Sequence, residues 1–109
     1  NGRYLPSDIY ITIGRVQLAY IQRVVIDPIC NCAVIGHFAV ERGFEGCGLG
    51  RAVAVAFRDA VAREYGVRRI IFSEDSPHYE AAGYARFFKA LGAKEIAPQW
   101  PSVRPDWEW

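Results

Sequence analysis

Ile9, Ile11 and Ile13 alternate with polar residues, the period-two pattern of a strand with one buried face. The spacing predicts one strand over Asp8–Arg15 and a second over Gln17–Asp27, with Gly14-Arg15 as the turn. Asp27-Pro28 ends the second, because proline cannot continue a central ladder. The apolar run Ala33–Val40 marks a third strand, Cys32–Glu41, as the most buried. Strict alternation would place His37 on one face with Ile35, Ala39 and Glu41. The period then changes. Leu49, Val53, Ala56, Phe57, Ala60 and Glu64 recur at helical spacing, all but the last apolar, with Gly66 as the C-cap and Arg51, Arg58, Asp59 and Arg63 on the wet side. Val67–Ser73 is a short β-rich run, parallel to its predecessor if the crossover is right-handed. Ser76-Pro77 reads as an N-cap and first helical residue. Tyr84, Phe87, Phe88 and Leu91 line one face of that second helix, and Gly92 ends it. Ala93–Ala97 reads as a strand, and Trp100–Trp109 as an irregular or edge segment.

Between the third strand and the first helix lies Gly43-Phe44-Glu45-Gly46-Cys47-Gly48-Leu49-Gly50-Arg51. Strand, glycine loop, helix is a phosphate-binding arrangement. Glycines let backbone approach an anion, and the unpaired N–H groups at a helix start favour negative charge. Two familiar versions fail on spacing. Gly50 is followed by Arg51-Ala52, so the lysine and hydroxyl of a P-loop are missing. Gly46, Gly48 and Gly50 are spaced two and two, unlike the dinucleotide fingerprint.

Composition narrows the classes further. The 109 residues amount to one domain, 1–109, and 51% hydrophobic content is enough for a real core. A net charge of +1 gives no nucleic-acid footprint. No apolar run is long enough to span a membrane. Cys30 and Cys32 would share a strand face, and no second pair completes a metal site, so no metal is expected. The odd thiol count suits a reducing cytoplasm. The chain has no methionine, which implies a processed or partial chain.

The loop resembles motif A of the GNAT superfamily of N-acetyltransferases, in which Gln/Arg-x-x-Gly-x-Gly/Ala follows a strand. Glu45-Gly46-Cys47-Gly48-Leu49-Gly50 matches the two final glycines, with Arg51-Ala52 after them, and Glu45 departs from the usual Gln or Arg. Phe38-Ala39-Val40-Glu41 is similar to the end of that family's fourth strand. Phe87-Phe88-Lys89-Ala90-Leu91-Gly92-Ala93 is similar to its Phe-Tyr-x-x-x-Gly-Phe segment, with Phe88 where many members carry a tyrosine that protonates the departing thiolate. The resemblance covers about Ile9 to Ile96. It implies an α/β fold with a mixed, mostly antiparallel central sheet and flanking helices. The elements that usually precede the family's second strand would be missing.

The resemblance also implies an activity: acetyl-CoA as acyl donor and an amine as acceptor. Phe38, Ala39 and Val40 would pair with the pantetheine arm through backbone groups. The amides of Gly46, Cys47, Gly48, Leu49, Gly50 and Arg51 would hold the pyrophosphate, with Glu45 and Phe88 beside the donor. Acetyl transfer needs a base for the amine and a proton for the thiolate. His37 and Glu41 are the candidates for the first and Tyr84 for the second, while Glu74, Asp75 and His78 cluster after the next strand. An alternative is a CoA-binding subunit or sensor of the same fold that no longer catalyses. A short N-terminal region and the tryptophan-rich tail predict a homo-oligomer.

Overall fold

A computed structural model describes residues 3–75, 81–98 and 104–109. Its centre is a pair of long antiparallel strands, β3 (Val16–Asp27) and β4 (Cys32–Val40), joined by a tight turn. Asp27 Oδ1 accepts from the Ile29 and Cys30 amides, and the Cys30 bond in particular holds its carboxyl below the usual range. The short β1 (Arg3–Tyr4) and β2 (Ile9–Ile13) both pair with β3 on its other edge. β4 leads through the glycine loop into α1 (Leu49–Tyr65) and back to β5 (Arg69–Phe72), which runs parallel to it, the one parallel pairing among the described strands. α2 (Ala81–Leu91), β6 (Lys94–Ile96) and β7 (Asp106–Glu108) follow. The sheet runs β1-β3-β4-β5-β7-β6, with β2 off that path. It is mixed and mostly antiparallel, as expected.

Two readings need correction. The described end of the tail does not lie at an edge: β7 pairs with both β5 and β6 and so sits inside the sheet. A three-residue strand carries too little periodicity to announce itself. Strict alternation also fails along β4. Core side chains are Ala33 and Ile35, then Phe38; on β3 they are Ala19 and Ile21, then Val24 and Ile26. The buried parity changes on both strands at one level while their register is kept. The change falls at Arg23, whose φ of 54° lies in the left-handed region. Its partner Gly36 is required there, since a Cβ would lie 2.9 Å from Arg23 Cβ and 3.2 Å from Arg23 O. His37 therefore parts from Ile35 and keeps company with Ala39 and Glu41. The Ser76-Pro77 start of the second helix and Trp100 lie outside the described residues. No helix among the described residues is long and apolar enough to cross a membrane.

Candidate functional site

β4 and β5 pair only from Cys32↔Arg69 to Ile35↔Phe72. Ser73 N–H donates to Ile35 O at 2.8 Å and Asp75 N–H to Gly36 O at 3.0 Å, and the ladder stops there. Side chains take over. Phe38 N–H donates to Glu74 Oε1 at 3.0 Å, and the Tyr84 hydroxyl donates to Phe38 O at 3.2 Å. A groove of about 1040 Å³ opens at this divergence. Its wall on the sheet is one face of two strands: Tyr20 and Gln22 from β3, and His37 and Ala39 from β4, with Glu41 just past the strand's end.

The glycine loop closes one end. Gly43, Gly46 and Gly48 adopt φ of 98°, 78° and 82°, which side chains with a Cβ rarely accept. Gly48 is the N-cap of α1 and offers no side-chain hydrogen bond, and the first turn holds no acid. The first intrahelical bond runs from Ala52 N to Gly48 O. The amides of Leu49, Gly50 and Arg51 thus have no acceptor within the helix, and the positive end of its dipole is not neutralised. Gly50 has a different reason to be glycine: a Cβ would meet Phe87 Cε1 at 2.9 Å, so its absence lets α2 lie against the start of α1.

Charge supports an anionic occupant. Arg23, Arg42, Arg51 and Arg86 line the groove against Glu41 and Glu45. Arg51 Nη1 also donates to Ala90 O at 3.2 Å, tying α1 to the last turn of α2. Arg23 is paired with Asp75, whose hydrogen bond pushes the guanidinium above its ordinary range and keeps it charged. Glu45 is exposed, so solvent and salt weaken its repulsion of an anion.

His37, Glu41 and Tyr84 come together in this groove with Phe38, Ala39, Val40, Glu45, Gly46, Gly48, Gly50 and Arg51. Cys47 and Leu49 do not line it. The exposed Cys47 thiol donates to Phe44 O at 2.8 Å, and Leu49 packs against the core. The backbone of Ala39 turns toward β3, because the Phe38 groups point away from that strand and neighbours alternate. Val40 then faces the groove. Phe88, expected beside the donor, is fully buried, its ring stacked 4.6 Å from Phe72 and tilted against Trp107 at 5.7 Å. The helical period turns Tyr84 and Phe87 to the groove and Phe88 and Leu91 to the core. His78 lies outside the described residues. Tyr20, Arg42 and Arg86 were not anticipated. For Tyr20 a signal existed: it stands between the apolar Ala19 and Ile21, on the face of β3 away from the core. Among the described residues no group of three or more metal-ligating side chains gathers.

No family model and no curated protein matches the sequence. Solved structures do match its fold. The ribosomal-protein-S18-alanine N-acetyltransferase of Escherichia coli superposes with a TM-score of 0.61 at 22% identity, over 97% of this chain and 66% of its own. An acetyltransferase from Agrobacterium tumefaciens gives 0.63 at 20%, over 94% and 59%. A tandem GNAT protein from the clavulanic acid biosynthesis pathway gives 0.64 at 20%, over 81% and 28%. The chain thus spans less than two thirds of the length of each. The fold is that of the GNAT acetyltransferases, with the groove at the divergence of β4 and β5.

Proposed function

We propose that this domain transfers an acetyl group from acetyl-CoA to an amine. The observation that carries the reading is the uncapped start of α1: free amides behind left-handed glycines, open to a groove that runs along β4. These residues fit a CoA-type donor. The amides of Leu49, Gly50 and Arg51 would hold its pyrophosphate, with Arg42 and Arg86 near enough to the groove to draw in further phosphate charge. Val40 would offer backbone groups to the pantetheine amides. Bound there, the donor supplies a thioester-activated acetyl group.

The chain's own residues must manage two protons. His37 serves as base for the amine, with Glu41 on the same wall. Tyr84 is the hydroxyl nearest the expected sulfur path, since its oxygen already touches the Phe38 carbonyl. It donates to the departing thiolate, the role that buried Phe88 cannot fill. The free cysteines fit a reducing, cytoplasmic setting. Tyr10, Ile13 and Val16 are exposed on the β2–β3 hairpin and support self-association through that edge.

Thiol release from acetyl-CoA with a panel of small amines and peptide N-termini tests the activity. The proposal expects amine-dependent release that Tyr84→Phe slows by about 10²-fold, the range for a lost acid–base group. Donor binding without transfer to any amine would leave the non-catalytic alternative standing.

A further inference from the structure

His37 stands in the middle of a chain of three side chains, and its two neighbours, Glu74 and Tyr20, have no role in the activity as proposed so far. Glu74 is nearly inaccessible, its side chain 3% exposed, and its two oxygens are both used. Oε1 accepts from Phe38 N–H at 3.0 Å, and Oε2 lies 2.5 Å from His37 Nδ1. The other ring nitrogen, His37 Nε2, lies 3.4 Å from the Tyr20 hydroxyl, with ring centroids 5.2 Å apart. Tyr20 and His37 both line the groove. A carboxylate can only accept, so Nδ1 carries a proton; in the neutral imidazole Nε2 is then the bare nitrogen, and the Tyr20 O–H donates to it. The bonds therefore point inward, from the groove toward the buried acid.

We propose that Tyr20 is the residue that takes the proton from the acceptor amine, relayed to His37 and directed by Glu74; this rests on the acetyltransferase reading above. As the amine nitrogen bonds to the acyl carbon, the carbon–sulfur bond breaks and its electron pair leaves on sulfur. The amine proton passes to Tyr20 Oη while the tyrosine's own proton passes to His37 Nε2. The imidazolium so formed is paired with the Glu74 carboxylate. Tyr20 faces Ala39 across the β3–β4 ladder, one residue from Val40 and Phe38, so its hydroxyl is placed beside the proposed donor strand. Catalytic hydrogen bonds are often long before substrate tightens them, and 3.4 Å is within that range. The charged and titratable groups around the relay include Arg104, whose Nη1 donates to Glu74 O at 3.2 Å, Arg23 and its partner Asp75, Glu41 and Tyr84 in the groove, and Tyr10, whose ring is 6.4 Å from that of Tyr20. Tyr20 is a catalytic residue in this scheme; Glu74 is a positioning residue.

Glu74→Gln makes the relay visible. The glutamine Oε1 can still accept from Phe38 N–H, but its amide must then donate to Nδ1, which forces the proton onto Nε2 and reverses the chain. Nitrogen-15 NMR of histidine-labelled protein reads this directly, and with 2 histidines in the chain one His78→Gln variant assigns the signals. The expected result is protonated Nδ1 in wild type and protonated Nε2 in Glu74→Gln. In the transfer assay Tyr20→Phe should lower kcat by about 10²-fold without changing KM for acetyl-CoA, and adding His37→Gln should cost little more, as for groups acting in one unit. An unchanged tautomer in Glu74→Gln, or wild-type kcat in Tyr20→Phe, overturns the relay while transfer by wild type still upholds the activity. A wild type that neither binds acetyl-CoA nor transfers overturns the activity, and the catalytic role with it.

Discussion

Gly48 and Gly50 belong to one motif, yet the structure needs them for different physical reasons, and two alanine variants separate these. At Gly48 a Cβ meets nothing within 4 Å, but φ is 82°. Left-handed backbone costs an alanine roughly 1–2 kcal/mol. For a domain near this size each kcal/mol lowers Tm by about 4–8 °C, so Gly48→Ala should melt roughly 4–16 °C lower. If the loop relaxes instead, the amides of α1 turn away, and losing one bond to a charged ligand (about 1.5–3 kcal/mol) weakens acetyl-CoA binding at least tenfold. At Gly50 the backbone is ordinary, and alanine gains about 0.5–1 kcal/mol of helix preference. Against that gain stands the 2.9 Å approach to Phe87 Cε1, with Val40 Cγ2 at 3.4 Å. Phe87 is stacked on Phe38, centroids 5.4 Å apart, so its ring cannot move freely. Overpacking costs about 1–3 kcal/mol, leaving a net loss between zero and about 2.5 kcal/mol. The decisive assay is a double-mutant cycle on Tm with Phe87→Leu. The smaller side chain should restore much of what Gly50→Ala loses and nothing of what Gly48→Ala loses. Equal rescue of both, or a silent Gly48→Ala, refutes the reasoning.

Further outcomes follow from single contacts. Phe88→Ala should cost about 3–5 kcal/mol in a denaturant titration, as for a fully buried ring, and Phe88→Tyr should bring no gain in turnover; a loss below about 1 kcal/mol would place the ring outside the core. The hydrogen bond from Arg69 holds Glu108 below the ordinary carboxylate range, so this pair contributes stability at neutral pH that is lost as pH falls through the lowered value. Glu108→Gln should flatten that acid limb of Tm against pH. It should cost no more than about 1 kcal/mol at pH 7, since the partners are 42% and 37% exposed; an unaltered acid limb counts against the pairing. Gly36→Ala should destabilise through the 2.9 Å approach to Arg23 Cβ and, by shifting the strand kink, should weaken the His37–Glu74 contact; a wild-type Tm rules out the tight crossing.

Much of this was legible in the sequence because long, periodic segments announce themselves. β2, β3, β4 and α1 follow directly from the spacing of Ile9–Ile13, the apolar run to Val40, and the stripe from Leu49. The glycine loop was legible as a tight strand-to-helix connection because the backbone need is local. What stayed hidden depends on contacts between distant segments. The parity change at Arg23 and Gly36 is one strand's strain matched to another's missing side chain, and it moved His37 to a different face. The pairing of His37 with Glu74 spans 37 residues and exists only because β5 diverges from β4. Phe88 misled because motif similarity gave it a role, whereas the packing of α2 gave the groove to Tyr84 and Phe87.

The central claim is that the uncapped start of α1 binds the pyrophosphate of an acyl-CoA. A thermal melt with three additives tests it most directly: acetyl-CoA, CoA, and acetyl-pantetheine, which lacks the pyrophosphate. At a hundred times Kd a ligand stabilises the folded state by about 2.7 kcal/mol, a rise in Tm on the order of 10 °C for such a domain. The account predicts that rise with both CoA species, none with acetyl-pantetheine at the same concentration, and a much reduced rise in Gly48→Ala. An unchanged Tm with millimolar acetyl-CoA, or an equal rise with acetyl-pantetheine, would contradict it.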